Sequence, residues 1–274
     1  MPADAVLEIP EVHFAIEVAL STGAILADRP DELTISTKST ATDVVTHMDQ
    51  LAERHIVERI EAMRPLDGIL GEEGAAKVGT SGLEWVVDPL DGTVNYLYDL
   101  PFWCVSIALV DAASREGVAG AIYAPRMDSL WFAARGQGAF VTSGGVTRRL
   151  GVSECANLDR ALMGTGFGYS AERRQSQGRV VAQILPRVRD IRRMGSCAID
   201  LCCVASGDLD GYYERGVNPW DHAAGGLIAR EAGAVVSGLS GAPEGEEMLV
   251  AAGPAVHQQL VALLEQNDAA SDNL

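Results

Sequence analysis

One stretch decides the fold: Glu84-Trp85-Val86-Val87-Asp88-Pro89-Leu90-Asp91-Gly92-Thr93. It joins an apolar run, two aspartates and a turn signal. The apolar run predicts a strand that ends at Asp88, since Pro89 cannot donate to a strand ladder and Asp91-Gly92 favours a tight turn. Asp88 and Asp91 would then converge beyond the strand, and the free N–H groups of a helix beginning near Thr93 would suit an anion. Two carboxylates beside an anion site fit a metal-bridged phosphate, although a turn followed by a helix cap would use the same residues.

Three further segments contain acids whose role the residues alone leave open. Gly71-Glu72-Glu73-Gly74 is typical of a solvated loop, and the segment 38–46 places Asp43 in a strand-like context. Near the C-terminus we interpret Asp221 as the N-cap of a helix that Gly233 ends. Small residues fill the first turns of that helix, which indicates close packing that would hold Asp221 rigidly.

These acids offer only hard oxygen ligands, and the five histidines do not cluster. Such a set favours Mg²⁺ or Mn²⁺ over Zn²⁺. Phosphoryl transfer fits this choice, because metal ions about 3.5–4 Å apart can activate water, hold the phosphate and stabilise the leaving oxygen. The sequence has no phosphate-binding G-x-x-x-x-G-K-[ST] loop and no G-x-S-x-G elbow, which argues against a nucleotide-hydrolysing switch and a serine hydrolase. The glycines of segment 164–168 have the wrong spacing for a dinucleotide loop, so we interpret this segment as a turn.

Composition limits the possible partners. The formal net charge of -17 disfavours binding to nucleic acid and to anionic membranes, and an acidic protein that handles a phosphate points to bound cations. The five cysteines, at 104, 155, 197, 202 and 203, show no metal-knuckle spacing, and their odd number argues against a disulfide framework. The longest apolar run, 101–110, is about half of a membrane span, and the N-terminus does not resemble a leader. We therefore expect a cytoplasmic protein.

Apolar periodicity predicts two helices, 11–26 and 49–63, followed by strands of one sheet at 83–87, 104–110, 117–123 and 129–133. The polar stretch 142–154 is the expected boundary between an N-terminal α+β domain, 1–145, and a C-terminal α/β domain, 146–274. The second half alternates strands (161–165, 210–213, 234–236, 248–252) with helices (172–185, 198–206, 221–232, 255–266), which is typical of an α/β arrangement.

Taken together, the motifs resemble the inositol monophosphatase family of magnesium-dependent, lithium-sensitive phosphatases. The matching pieces occur in the family's order between about residues 10 and 265: Gly71-Glu72-Glu73, Asp88-Pro89-Leu90-Asp91-Gly92-Thr93-Val94-Asn95-Tyr96, Gly195-Ser196-Cys197-Ala198 and Trp220-Asp221-His222-Ala223-Ala224. The resemblance implies a mixed α/β and α+β fold, a layered αβαβα sandwich of the inositol monophosphatase and fructose-1,6-bisphosphatase type, and a homodimer.

The resemblance also implies the role of each site residue. The ligands of two to three Mg²⁺ ions, for which Mn²⁺ could substitute, would be Glu72, Asp88, the Leu90 carbonyl, Asp91 and Asp221. Asp43 and Thr93 would orient or deprotonate the attacking water, with Glu72 among the catalytic residues. The substrate would contact Asp91, Gly92, Thr93, Gly195, Ser196, Cys197, Glu214 and Asp221.

Hydrolysis of inositol-1-phosphate to inositol and phosphate is the activity that the resemblance favours. Val94-Asn95-Tyr96 follows the inositol monophosphatase pattern, whereas the segment 166–174 looks bacterial and would lie near the substrate. Histidinol phosphate, fructose-1,6-bisphosphate and a 3′-phosphoadenylate are alternative substrates for the same chemistry. A different class of function, protein binding in transcription antitermination, is the second alternative, since some bacterial relatives have that role.

Overall fold

The computed structural model describes residues 2–30, 32–37 and 44–271. The α-helices in these ranges are α1 (Ala3–Leu7), α2 (Pro10–Ala27), α3 (His47–Met63), α4 (Thr93–Leu97), α5 (Ala171–Ile184), α6 (Cys197–Ser206), α7 (Pro219–Glu231) and α8 (Pro254–Gln266).

The strands of the described ranges are β1 (Ile35–Thr37), β2 (Val44–Thr46), β3 (Gly68–Gly71), β4 (Ala76–Lys77), β5 (Leu83–Asp91), β6 (Cys104–Asp111), β7 (Gly117–Ala124), β8 (Ser129–Ala134), β9 (Gly138–Ser143), β10 (Val146–Arg149), β11 (Leu162–Thr165), β12 (Asp190–Arg192), β13 (Gly211–Glu214), β14 (Val235–Ser237) and β15 (Leu249–Ala252).

Two large sheets organise these strands. The first has the order β10-β9-β8-β7-β6-β5-β3-β4 and is antiparallel except where β3 runs parallel to β5. The second has the order β12-β11-β13-β15-β14, with β11 parallel to both of its neighbours. A separate ribbon pairs β1 with β2. The four strands predicted to share one sheet do so as β5 to β8.

Both faces of the first sheet are buried, which explains why its central strands are apolar without alternation. Along β5, Trp85 and Val87 pack with α2 and α3, whereas Val86 belongs to the core shared with α6, α7 and the second sheet. The far face of the second sheet packs on α5 and α8, where Ile184 and Leu260 are fully buried. The elements therefore form five layers, in the order helices, sheet, helices, sheet, helices. The predicted αβαβα sandwich is confirmed.

Two differences from the sequence predictions concern the site and the domain boundary. Strand β5 continues to Asp91 instead of ending at Asp88, because a bulge absorbs Pro89 without ending the strand. The stretch 142–154, predicted as a polar boundary, contains strand β10, which forms a hairpin with β9 through Gly144 and Gly145. The hairpin therefore spans the expected boundary at residue 145, and the division into two domains stays a prediction.

Two further observations concern the whole described chain. No helix in the described ranges combines the length and the apolar character that a membrane crossing requires. The five cysteines are free thiols, of which four are buried. Three of these four, Cys197, Cys202 and Cys203, belong to helix α6, where they fill the core between the two sheets.

Candidate active site

A β-bulge in β5 places the first two acids of the site. Asp88 pairs with Ser106 and Asp91 pairs with Cys104, so three steps along β5 match two along β6. The bulge turns the chain at Pro89, and the Asp88 Oδ1 atom accepts a hydrogen bond from the Leu90 N–H at 2.9 Å. One Asp88 oxygen is thereby held by the backbone, and Asp88 is only 2% exposed.

Gly92 ends this turn in a conformation that other residues rarely adopt. Its φ is +93°, and a Cβ at this position would lie 2.7 Å from the Phe102 carbonyl oxygen. Helix α4 therefore begins directly at Thr93 and carries its hydroxyl beside the bulge. The Thr93 hydroxyl has one proton, for which the Asp49 Oδ1 atom at 2.9 Å and the Leu90 carbonyl at 3.1 Å are the two acceptors.

Asp49 is held in place by the N-terminus of α3. The Thr46 N–H and the Thr46 hydroxyl both donate to Asp49 Oδ2, at 2.8 and 2.6 Å, and the Met48 N–H donates to Thr46 Oγ1. This capping box fixes one carboxylate oxygen and directs the other towards Thr93. Asp43, which was predicted to be the partner of Thr93, lies outside the described residues.

Glu72 lies on the turn between β3 and β4, and helix α3 stabilises that turn through hydrogen bonds. The Glu53 carboxylate on α3 accepts hydrogen bonds from the N–H groups of Glu73, at 2.8 Å, and Ala75, at 3.0 Å. A Cβ on Gly71 would collide with Glu53, so the glycine permits this close approach. The turn has the sequence of a solvated loop, but the buried Glu53 carboxylate holds it in place. Glu72 on this turn approaches Asp88 closely enough for a hydrogen bond between the two carboxyl groups.

Asp221 is the third residue of helix α7 rather than its N-cap. Asn218 is the N-cap, and Asp221 Oδ2 accepts from the Asn218 N–H at 2.6 Å, which completes a second capping box. Gly233, with φ +99°, follows the end of the helix as predicted. Close packing is also confirmed, because a Cβ on Gly225 would lie 2.8 Å from the Leu201 side chain of α6.

Asp91 is supported by the N-terminus of α6. Its Oδ2 atom accepts from the Ser196 hydroxyl at 2.6 Å and from the Ala198 N–H at 2.8 Å. We expected Ser196 to face the substrate. Its hydroxyl instead lies beneath Asp91 and caps α6 by accepting from the Ile199 N–H.

A cavity of about 720 Å³ joins these elements. Ten of the residues that the resemblance implied line it: Glu72, Asp88, Leu90, Asp91, Gly92, Thr93, Gly195, Cys197, Glu214 and Asp221. The segment 166–170, expected near the substrate, forms another part of the wall, and Trp220 lines it too. The Tyr212 hydroxyl donates to Glu214, and burial raises the pKa of Glu214.

The acids at one end of the cavity repel one another. Burial raises the pKa of Asp88 well above its usual value, and the charges of Glu72, Asp91 and Asp221 raise it further. Burial likewise raises the pKa of Asp91 to about 7 against its hydrogen bonds from Ser196 and Ala198, and the charge of Glu72 acts in the same direction. The pKa of Asp221 is also well above its usual range, first through burial and then through the charges of Asp91 and Glu72. Such a cluster is stable in its ionised form only beside cations.

The donor set fits Mg²⁺. Each of Asp88, Asp91 and Asp221 has one oxygen engaged with a backbone N–H, which leaves the other for an ion. Within the described part of the chain, no three Asp, Glu, His or Cys side chains converge closely enough to enclose an ion by themselves. Mg²⁺ does not need such a cage, because it keeps several waters and binds through one or two carboxylates together with substrate phosphate oxygens.

Sequence reasoning missed Asp49, Glu53 and Arg193. Asp49 carries a detectable signal, since Thr46 and Asp49 have the spacing of a capping box. Glu53 and Arg193 carry no such signal. Glu53 contacts the turn after β3, and Arg193 lines a cavity built from several segments, so both depend on residues distant in sequence.

The chain is similar to known proteins of one family. The family model described as the inositol monophosphatase family matches residues 10–269. The Mycobacterium leprae protein named inositol-1-monophosphatase is 45% identical over 240 residues, which cover 85% of this chain and 81% of that protein. The Nus factor SuhB of Pasteurella multocida is 38% identical over 92% of this chain and 94% of its own length. Among solved structures, Mycobacterium tuberculosis SuhB superposes with a TM-score of 0.81 at 39% identity, covering 95% of this chain and 97% of its own.

Proposed function

This chain belongs to the inositol monophosphatase family, and we propose that it is a magnesium-dependent phosphatase that hydrolyses inositol-1-phosphate to inositol and phosphate. The observation that supports the proposal is the position of Glu72, Asp88, Asp91 and Asp221 at one end of a single cavity, beside the Thr93–Asp49 pair. Bound Mg²⁺ would supply electrophilic assistance to the phosphate and lower the pKa of water.

Thr93 and Asp49 would remove the proton of the attacking water. When the Thr93 hydroxyl donates to Asp49 Oδ1, its oxygen is free to accept a hydrogen bond from water. Burial raises the pKa of Asp49, so the carboxylate holds a proton more readily than an exposed aspartate would. The capping box keeps the carboxylate oriented throughout, because its other oxygen stays bound to Thr46.

The alcohol part of the substrate would lie against the opposite wall of the cavity. Glu214 offers a half-buried carboxylate to a hydroxyl, and Gly195 and Cys197 border the same space. The mycobacterial relatives named inositol-1-monophosphatase support inositol as the alcohol. Histidinol phosphate, fructose-1,6-bisphosphate and 3′-phosphoadenylate are the alternative substrates.

A phosphate-release panel at matched substrate concentrations tests this proposal. Inositol-1-phosphate should give the highest kcat/KM of the four substrates, activity should require Mg²⁺, for which Mn²⁺ can substitute, and Li⁺ should inhibit. Full activity in excess chelator would refute metal dependence, and a clear preference for another substrate would refute inositol as the alcohol. The Asp91→Asn variant serves as the inactive control.

The relatives named Nus factor SuhB favour one second candidate, binding to a protein partner in transcription antitermination. The net charge of -17 favours a protein partner over direct contact with nucleic acid. Complementation separates the two functions: Asp91→Asn should fail to restore the cellular function if catalysis is responsible, and should restore it if binding is. A homodimer and a cytoplasmic location are parts of the same proposal, and sedimentation of the purified protein tests the dimer.

A further inference from the structure

Arg193 is a cation at the wall of the cavity that the proposed mechanism does not use. Its exposed side chain lines the cavity together with Gly195 and Glu214. Gly195 has a φ of +92°, which other residues rarely adopt, and the Arg193 guanidinium lies on the side of Gly195 where a Cβ would stand. The guanidinium is therefore at the wall beside a residue that the resemblance places against the substrate.

The guanidinium has no hydrogen bond or ion pair with any residue that the structure describes. Its neighbour Arg192 differs in this respect, since Arg192 Nη1 donates to Asp190 Oδ2 at 2.7 Å and to the Ile191 carbonyl at 3.0 Å. Two consecutive arginines therefore have different roles. Arg192 is paired at the surface, whereas Arg193 presents its five donors to the space in which a substrate would lie.

Two carboxyl groups, those of Glu214 and Asp200, interact electrostatically with Arg193. The charge of Arg193 lowers the pKa of Glu214 and of Asp200, although burial raises both pKa values overall. Asp200 is 1% exposed, and its Oδ1 atom has no hydrogen-bond partner among the described residues. Both acids attract the guanidinium without forming a close pair with it, so its hydrogen-bonding capacity remains available.

The cavity wall carries charges of both signs. Besides the four acids of the proposed Mg²⁺ site, three arginines (Arg173, Arg193 and Arg215) and three further acids (Glu172, Glu214 and Glu246) line it. A guanidinium recognises a carboxylate or a phosphate through two parallel hydrogen bonds. A neutral polyol can accept hydrogen bonds from the guanidinium but cannot form the charge-assisted pair.

We propose that Arg193 is a specificity-determining residue that binds a second acidic group, a carboxylate or a phosphate, on the alcohol part of the substrate. The inference rests on the proposed phosphatase function and adds to it a class of further substrates, phosphate esters whose alcohol part carries a second acidic group. Substrates with two acidic groups would place the ester phosphate at the acids and the other group at Arg193. Within the alternatives above, fructose-1,6-bisphosphate and 3′-phosphoadenylate carry such a group, so Arg193 would favour each of them over its counterpart that lacks it. Inositol-1-phosphate has no second acidic group and would be hydrolysed without this contact.

Matched substrate pairs test the proposal with the full-length protein and Mg²⁺. Fructose 1-phosphate and fructose 1,6-bisphosphate differ by one phosphate, and glycerol 3-phosphate and 3-phosphoglycerate differ by one carboxylate. The readout is the ratio of kcat/KM for the acidic member to kcat/KM for the neutral member. Wild-type protein should favour the acidic member of at least one pair, which also shows whether the site prefers a phosphate or a carboxylate.

Arg193→Met should lower this ratio by about tenfold, mainly through KM, because a charge-assisted bidentate contact is lost. Arg193→Lys should retain part of the preference, since it keeps the charge but not the planar fork. Arg192→Met is the matched control, and its ratio should equal that of the wild type. Thermal unfolding checks that each variant is folded.

Three outcomes would overturn the assignment. The first is that wild-type protein hydrolyses the neutral members and shows no preference for the acidic ones. The second is that Arg193→Met reduces kcat/KM for both members equally, which would mean that Arg193 only offsets the charge of Glu214. Absence of hydrolysis for all four substrates and for inositol-1-phosphate would refute the proposed function together with this inference, so the two failures are distinguishable.

Discussion

Replacing Asp49 by Asn should remove most of the phosphatase activity while leaving the fold intact. The substitution keeps the size and shape of the side chain but replaces one oxygen by an NH₂ group. In the structure both oxygens accept hydrogen bonds, Oδ2 from Thr46 and Oδ1 from Thr93. An asparagine can satisfy only one side, because its NH₂ group donates.

The capping box decides which side the oxygen takes. Two donors of Thr46 face one position, whereas the single hydroxyl of Thr93 faces the other, and the Thr93 hydroxyl can turn to the Leu90 carbonyl at 3.1 Å. The amide oxygen should therefore stay with Thr46, since losing a cap costs about 1 kcal/mol. The NH₂ group then donates a hydrogen bond to the Thr93 oxygen. That oxygen is no longer free to accept a hydrogen bond from the attacking water.

The magnitude follows from these contacts. General-base assistance contributes about 10²–10⁴-fold to a rate, so kcat of Asp49→Asn should fall by at least about 10²-fold. The free energy of unfolding should change by less than about 1 kcal/mol, because the cap is kept. Burial, the main reason that the pKa of Asp49 is raised, also means that a neutral amide avoids a desolvation cost that the carboxylate bears.

The assay is Mg²⁺-dependent phosphate release, run on Asp49→Asn, Thr93→Val and the double variant. If Asp49 acts through Thr93, the double variant should be about as slow as the slower single variant, since residues that act as a unit are not additive. Asp43→Asn is the matched control, because Asp43 was the partner predicted from the sequence. The reasoning would be refuted if Asp49→Asn kept more than about a third of the wild-type kcat, or if Asp43→Asn were the more damaging change.

Three other substitutions test the rest of the site. Asp91→Asn should lower kcat by about 10³-fold or more and raise the melting temperature of the chelator-treated protein, as calorimetry can check, because it removes one charge from the buried cluster; unchanged activity would exclude Asp91 as a ligand. Glu53→Gln should raise the Mg²⁺ concentration needed for half-maximal rate by about tenfold, because an NH₂ group would face one of the N–H donors of the turn that carries Glu72; an unaltered Mg²⁺ titration would contradict this. Asp200→Asn should stabilise the protein increasingly as pH rises from about 4 to 8. Burial raises the pKa of Asp200 in the folded state well above its value in the unfolded state. The wild type therefore loses stability over this range, because Asp200 ionises in the unfolded chain but not in the folded one. Urea unfolding at pH 5 and pH 8 measures the last effect, with the exposed Asp159→Asn as control, and a stability gain that does not grow with pH would count against it.

The fold was largely predictable because its signals are local. Continuous apolar runs such as 104–110 predict strands buried on both faces, and the five-layer arrangement requires that burial. The short strands β1, β3, β4 and β12 escaped prediction, since two to four residues carry too little periodicity. Strands β9 and β10 were also missed. The end of β9 lies in the polar stretch predicted as a boundary, and the exposed residues of β10 at the sheet edge, such as Arg148 and Arg149, have the composition of a loop.

The site was predictable in part for the same reason. Asp88, Asp91 and Asp221 stand at turns and helix starts that the sequence marks, and the structure brings them to one cavity with Glu72. Asp49 was predicted only as the first residue of a helix, although its spacing from Thr46 is that of a capping box. Arg193 depends on contacts with a cavity wall assembled from several segments, which no local pattern encodes.

The alternatives that the sequence left open, a helix cap or a functional acid, are not exclusive in this protein. Asp49 and Asp221 each complete a capping box with one carboxylate oxygen and direct the other oxygen into the site. Asp91 is bound in the same way by the start of α6, and Asp88 by the turn that follows it. A carboxyl group with one oxygen fixed by backbone donors cannot rotate away from its neighbours, so the acids stay together with raised pKa values until cations stabilise their ionised form. The local structure that makes these acids look ordinary in sequence is therefore what makes them suitable as ligands, because it restricts their orientation before the ion arrives.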